Sequence, residues 1–276
     1  MFPVRIETIP AQGIVEQVQA QVPTTTALSV TCLPHHGIER TMRTAVELSD
    51  AGYKVIPHLA ARSIRSRAEV TGLVRGCDAA GIREVFVIGG DRKQPAGIYD
   101  SALPVLEDIA QYSSGMMRAG VAGYPEGHPL VSPLDLLDGL LAKQDLASHV
   151  VTQMCFSAGK IHDYAALLRR EGVHLPVWAG VAGAVPRTKL VALSAQIGVG
   201  SSLKFLSRKG PLARKLLSGD RYSPDSLITG LAGQPGNIAG IHLYSFNSLD
   251  PLPAGPDQAT TSALQTALIR GAARDN

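Results

Sequence analysis

Cysteine, aromatic residues and unbalanced charge are all scarce in this 276-residue chain. Cys32, Cys77 and Cys155 form neither a Cys-x-x-Cys pair nor a disulfide ladder, which suits a reducing compartment. Cys32 and Cys155 lie in apolar, strand-like runs, so buried inert thiols are expected there rather than a nucleophile or a metal ligand. Aromatic residues make up 5% of the chain, with one tryptophan, Trp178, at a strand end where core packing and stacking on a ligand ring are both open. Against 26 Lys and Arg stand 23 Asp and Glu, and a net charge of +3 gives no argument for a nucleic-acid partner. No stretch approaches the ~18 consecutive apolar residues of a membrane span. Arg5 and Glu7 interrupt the N-terminus before a signal-like apolar run forms, so a soluble, cytoplasmic protein is expected. Phosphate-cradling Gly-x-Gly-x-x-Gly and Gly-x-x-x-x-Gly-Lys-Ser/Thr loops are missing, as are His-x-His and His-x-x-x-His spacings.

What the chain does have is apolar material, at 45% hydrophobic and 18% charged residues, which excludes global disorder. Strand-like runs fall at 4–8, 27–32, 54–58, 84–89, 118–123, 149–153, 176–180 and 239–244. Helical patterns fall between them at 37–51, 66–81, 101–111, 133–143, 160–172, 187–195 and 223–232. Eight strands, most of them apolar on both faces and alternating with helices, predict a parallel sheet covered by helices. Eight strands also close a barrel. The expected fold is therefore an α/β (βα)8 TIM barrel, preferred to an open doubly wound sheet. One domain is expected over residues 1–276, since no Pro/Gly/Ser-rich linker divides the chain. Residues 196–222 add helical material before the last strand, and the tail is Pro-rich to Pro256, then helical to Arg274.

Barrel enzymes carry their chemistry at the C-terminal ends of the strands. The polar residues at those ends are Glu7, Thr31, His58, Asp91, Tyr124 with Glu126 and His128, Gln153, and Tyr244 with Asn247. Any one of them could simply cap a helix or close a turn; their convergence on one rim points to a site. A barrel directs Glu7 into the mouth, among apolar walls that favour a protonated carboxyl and hence a general acid; an ion pair is the plainer role. Asp91 follows Gly89 and Gly90, a glycine turn where backbone can approach a ligand closely. His58 with Glu7, Asp91 and His128 could also be read as a metal centre, and a metal held by His58, Asp91 and His128 would make the chain a metal-dependent barrel hydrolase. The basic cluster Lys204, Arg208, Lys209, Arg214 and Lys215 reads as a solvated helix face or as a steering surface for anions.

Several stretches together resemble the methylenetetrahydrofolate reductase family over nearly the whole chain. They are Ile6-Glu7-Thr8-Ile9-Pro10, Leu28-Ser29-Val30-Thr31, Pro57-His58-Leu59, Gly90-Asp91, Ile98-Tyr99, Tyr124-Pro125-Glu126-Gly127-His128-Pro129, Val151-Thr152-Gln153 and Tyr244-Ser245-Phe246-Asn247. The resemblance implies a barrel with FAD at its mouth, NAD(P)H as hydride source, and reduction of 5,10-methylenetetrahydrofolate to 5-methyltetrahydrofolate, in either direction. It implies that Glu7 promotes opening of the folate's five-membered ring. Asp91 would sit beside flavin and pterin, and Gln153 would bind the pterin. Thr31, His58, Gly90, Tyr99, Tyr124, His128 and Tyr244 match cofactor-contact positions.

The chain departs from the family pattern at the phosphate end. Gly89-Gly90-Asp91 replaces the family's Arg-Gly-Asp. An Asn and an Arg/Lys pair give way to Asp138, Leu141 and Ala142, with Lys143 adjacent, and Ser248 stands where an Arg often reaches the folate tail. Two or three missing charge-assisted contacts cost roughly 1.5–3 kcal/mol each. The hydride route therefore stays open between relay through FAD and direct transfer from NAD(P)H. A non-catalytic folate-binding subunit is the remaining alternative, and association into a homo-oligomer is compatible with all of these.

Overall fold

The computed structural model describes residues 2–186, 190, 221–233 and 237–249. Eight parallel strands close on themselves in chain order. They are β1 (Val4–Thr8), β2 (Ala27–Val30), β3 (Val55–Ala60), β4 (Glu84–Ile88), β5 (Arg118–Gly123), β6 (His149–Thr152), β7 (Val177–Ala182) and β8 (Ile238–Tyr244). Closure is made by β8 against β1, where Ile6 pairs with Leu243 and Glu7 with Tyr244. The expected barrel is present. The helical material expected at 187–195 and 196–222 and in the C-terminal tail falls outside the described residues, apart from Leu190, Arg221 and Tyr222.

Seven α-helices follow the strands among the described residues. They are α1 (Ile14–Gln21), α2 (Gly37–Asp50), α3 (Arg67–Ala79), α4 (Ala102–Tyr112), α5 (Pro133–Leu141), α6 (Ala158–Arg170) and α7 (Asp225–Ala232). The sequence pattern gave no sign of α1, a short segment rich in Gln that buries only Ile14 and Val18. Local chemistry sets several helix starts. Ser66, Ser132 and Ser157 each accept a hydrogen bond from the third backbone N–H beyond them, and Pro133 at the first turn of α5 lacks the N–H that would need a partner.

Alternation along the strands separates two interiors. Ile6, Leu28, Val30, Val55, Leu59, Val85, Val87, Val121, Val150, Val177, Val181, Ile241 and Leu243 point outward into one apolar core with the helices. Each such burial contributes about 1.5–3 kcal/mol. The inward positions are far more polar than strands apolar on both faces would be. At the lower end Arg5 Nη2 lies 2.7 Å from Glu84 Oε1, Arg5 Nη1 is 2.9 Å from His149 Nε2, and the guanidinium sits 3.6 Å over the Trp178 ring. Trp178 is thus a packing residue of the barrel floor. Two glycines make room for this plug: a Cβ at Gly120 would come 2.5 Å from His149 Nε2, and one at Gly240 would come 2.5 Å from the Trp178 ring. Ile56, Phe86 and Val151 form an apolar layer above it.

Candidate active site

Glu7 stands above that layer, near the C-terminal end of β1, with 7% of its surface exposed. Its Oε2 is 3.1 Å from His242 Nε2 and 3.7 Å from His58 Nε2. Both imidazoles are buried, and neither contact involves Oε1. Burial lowers the His58 pKa to about 4, more than the nearby Glu7 raises it, so this ring is neutral at neutral pH. His58 Nε2 is also 2.7 Å from the Ser29 hydroxyl. The Glu7 backbone is fixed too, its carbonyl accepting from Ser245 Oγ.

The end of β8 closes over this carboxyl. Tyr244 donates its hydroxyl to the Thr152 carbonyl at 2.9 Å, and burial, with Glu7 adding to it, holds the phenol well above its ordinary pKa. Asn247 adopts a left-handed backbone, φ 60°, and its amide joins the two ends of the Ile9 peptide link. Gln153, expected to bind pterin, lies half-buried at the end of β6, with Oε1 accepting from the Met154 N–H at 2.9 Å; its amide nitrogen is not part of that bond. Thr31 is buried with its hydroxyl unpartnered, and its backbone N–H donates to Thr8.

Asp91 is exposed on the loop after β4. Gly90 before it has φ 88°, and a Cβ there would meet Ala60 at 3.0 Å. The loop is clasped by Arg62, whose guanidinium donates to the carbonyls of Arg92 and Lys93, each at 2.6 Å. Tyr124 and His128 form an edge-to-face pair with centroids 5.0 Å apart. The Tyr124 phenol is raised by burial and then by the negative charge of Asp91. Burial, then Glu7 and then Tyr124, act in the same way on Tyr244. Tyr99 is placed differently from the others: it is 2% exposed and donates its hydroxyl to Asp108 of α4.

Three residues absent from the sequence-level site stand out. His242 lies two residues before Tyr244 on β8, so strand alternation alone would have placed it on the same inward face. Ser29 and Arg62 gave no comparable signal. Cys32 and Cys155 are buried as expected, and Cys77 is buried too, with burial pushing the thiol of Cys77 up to about 12 and that of Cys155 to about 11.

Metal ligation and flavin binding can both be tested against these residues. Among the described residues, the one group of three or more potential ligands is Glu7, His58 and His242, whose ligand atoms all lie within 4.8 Å of one another. Glu7 and His58 of the expected set are gathered here with His242, whereas Asp91 and His128 are not. For FAD, the unpartnered Thr31 hydroxyl and the Tyr124–His128 pair suit a ring system. The diphosphate is not matched: α5 brings exposed Asp135 and Asp138, and Lys143 is half-buried with its pKa lowered by desolvation. FAD as a whole therefore does not fit the described residues. The basic cluster from Lys204 to Lys215 lies outside them.

Comparison with known proteins gives a family and a fold. The family model described as methylenetetrahydrofolate reductase matches residues 15–190. An oxaloacetate acetylhydrolase structure, in complex with the product oxalate, superimposes with a TM-score of 0.55 at 11% identity, covering 100% of this chain and 82% of that one. A putative phosphonomutase from Burkholderia cenocepacia gives a TM-score of 0.50 at 12% identity, covering 96% of this chain and 94% of the other. At such identities these two similarities speak for the barrel fold alone. No helix among the described residues is long and apolar enough to cross a membrane.

Proposed function

The chain belongs to the methylenetetrahydrofolate reductase family, and on that premise we propose that it transfers a hydride from NAD(P)H to 5,10-methylenetetrahydrofolate. The products are 5-methyltetrahydrofolate and NAD(P)⁺. The observation that carries this reading is the buried Glu7 carboxyl at the mouth of the barrel, held on one oxygen by His242 at 3.1 Å.

Three residues have roles in this reaction. Glu7 delivers a proton to the anilinic nitrogen of the folate's five-membered ring. The bond from that nitrogen to the bridging methylene breaks, leaving an iminium on the pterin-ring nitrogen. Asp91, on the loop after β4, supplies negative charge that stabilises this cation, and Gln153 offers its amide to the pterin. Hydride from the nicotinamide then reduces the iminium carbon to a methyl group. One proton and one hydride are consumed, and the nicotinamide is oxidised. A flavin, if held, would relay that hydride; because the described residues do not match its diphosphate, no step is assigned to it.

The test is anaerobic oxidation of NADH or NADPH driven by 5,10-methylenetetrahydrofolate, with 5-methyltetrahydrofolate identified as product. Runs with and without added FAD choose between the two hydride routes. Folate-independent oxidation, or no oxidation under either condition, would contradict the proposal.

A further inference from the structure

We infer that His242 is a positioning residue for the proton-donating carboxyl of Glu7. The inference rests on the reductase reading above and adds to it a residue outside the stretches that carry the family resemblance. Glu7 is faced by His242 and Tyr244 from β8 and by His58 from β3, with Ser29 of β2 behind His58. Only one of these groups lies within hydrogen-bond reach of the carboxyl. The Tyr244 hydroxyl is spent on the Thr152 carbonyl. His58 Nε2 is 3.7 Å from Oε2, beyond hydrogen-bond reach, and its nearer partner is Ser29 at 2.7 Å. His242 Nε2, at 3.1 Å, is therefore the side-chain group within hydrogen-bond reach of the Glu7 carboxyl among the described residues, and we take it as the N–H that holds Oε2.

The His242 ring is also held in place. It is 1% exposed, with Tyr244 at 5.0 Å and Phe86 and His58 each at 6.3 Å between centroids. A ring packed in this way keeps its N–H on Oε2 throughout the reaction. Oε1 is left to carry the proton toward the substrate. When that proton leaves, the new carboxylate already has a donor in place, so no group has to reorganise in the step.

The experiment is a double-mutant cycle on the full chain, read as kcat and KM for 5,10-methylenetetrahydrofolate. His242→Leu is expected to lower kcat by about tenfold or more, with KM changed by less than about threefold. His242→Gln, which offers an amide N–H near the same point, is expected to recover most of the loss. In a Glu7→Gln background the His242→Leu substitution is expected to cost less than about twofold, because its effect passes through Glu7. Thermal melting shows whether each variant is folded. Equal losses in both backgrounds, or no recovery with Gln, would overturn the role of His242 while leaving the reductase reading intact. A wild-type protein without folate-dependent turnover would instead overturn that reading, and this inference with it.

Discussion

The side-chain amide of Asn247 grips Ile9 at both ends of its backbone, accepting from its N–H at 2.7 Å and donating to its carbonyl at 2.9 Å. This clasp joins the segment after β8 to the segment after β1 and frames Glu7, two residues away. Asn also suits the left-handed conformation the chain adopts there, φ 60°. Asn247→Ala removes both bonds and strains the turn, so a loss of about 2–4 kcal/mol in urea denaturation is expected. Asn247→Asp keeps the acceptor and should lose less. A loss under about 0.5 kcal/mol for the alanine variant would show that the clasp does not hold the barrel closed.

The floor of the barrel gives a second prediction. Arg5, 5% exposed, faces Glu84, 2% exposed, at 2.7 Å, and Lys54 Nζ approaches the same carboxylate at 3.3 Å. Removing one partner of such a pair leaves a buried charge uncompensated. Arg5→Met is expected to destabilise by about 3–5 kcal/mol, and adding Glu84→Gln should restore part of that. Strict additivity of the two substitutions would refute the pairing.

The buried histidines tie stability to pH. Burial lowers His58 to about 4 and, with Arg5 next in effect, His149 to about 3, against 6.5 for an unhindered ring. The unfolded chain therefore binds these two protons first, and stability falls as pH drops from 6.5 toward 4. Each ring costs roughly 3 kcal/mol by pH 4. In proton NMR the ring signals of His58 and His149 should stay in the neutral form down to about pH 5. Titration of either near its ordinary pKa would show that it is not buried as described.

The cluster of Glu7, His58 and His242 has the composition of a metal site, yet Ser29 engages the nitrogen that His58 would need for ligation. Chelation is accordingly expected to leave folate-dependent turnover unchanged, with less than one equivalent of metal per chain by elemental analysis. One tightly held equivalent whose removal abolishes turnover would show that these residues hold a metal the reaction needs.

Much of the barrel was legible in the sequence, because outward strand positions such as Val85, Val87 and Val121 declare themselves by hydrophobicity and spacing. The polar interior was harder to read. Arg5 and Glu84 are 79 residues apart in the chain, and only closure of the sheet shows that each neutralises the other. Glu7 could be placed at the mouth by its strand end. His242 could not be matched to it, since contact between them depends on β8 returning beside β1. Helix α1 escaped notice because so little of its surface is buried, which leaves a weak periodic signal.

The central claim is that Glu7 is the proton donor of a folate reductase, and one comparison tests it most directly. Folate-dependent NAD(P)H oxidation is measured for the wild type and for Glu7→Gln, alongside the affinity of each for the folate. The account predicts that turnover falls by about a hundredfold or more while folate is still bound and the melting temperature is kept. A variant that turns over folate at the wild-type rate would contradict it.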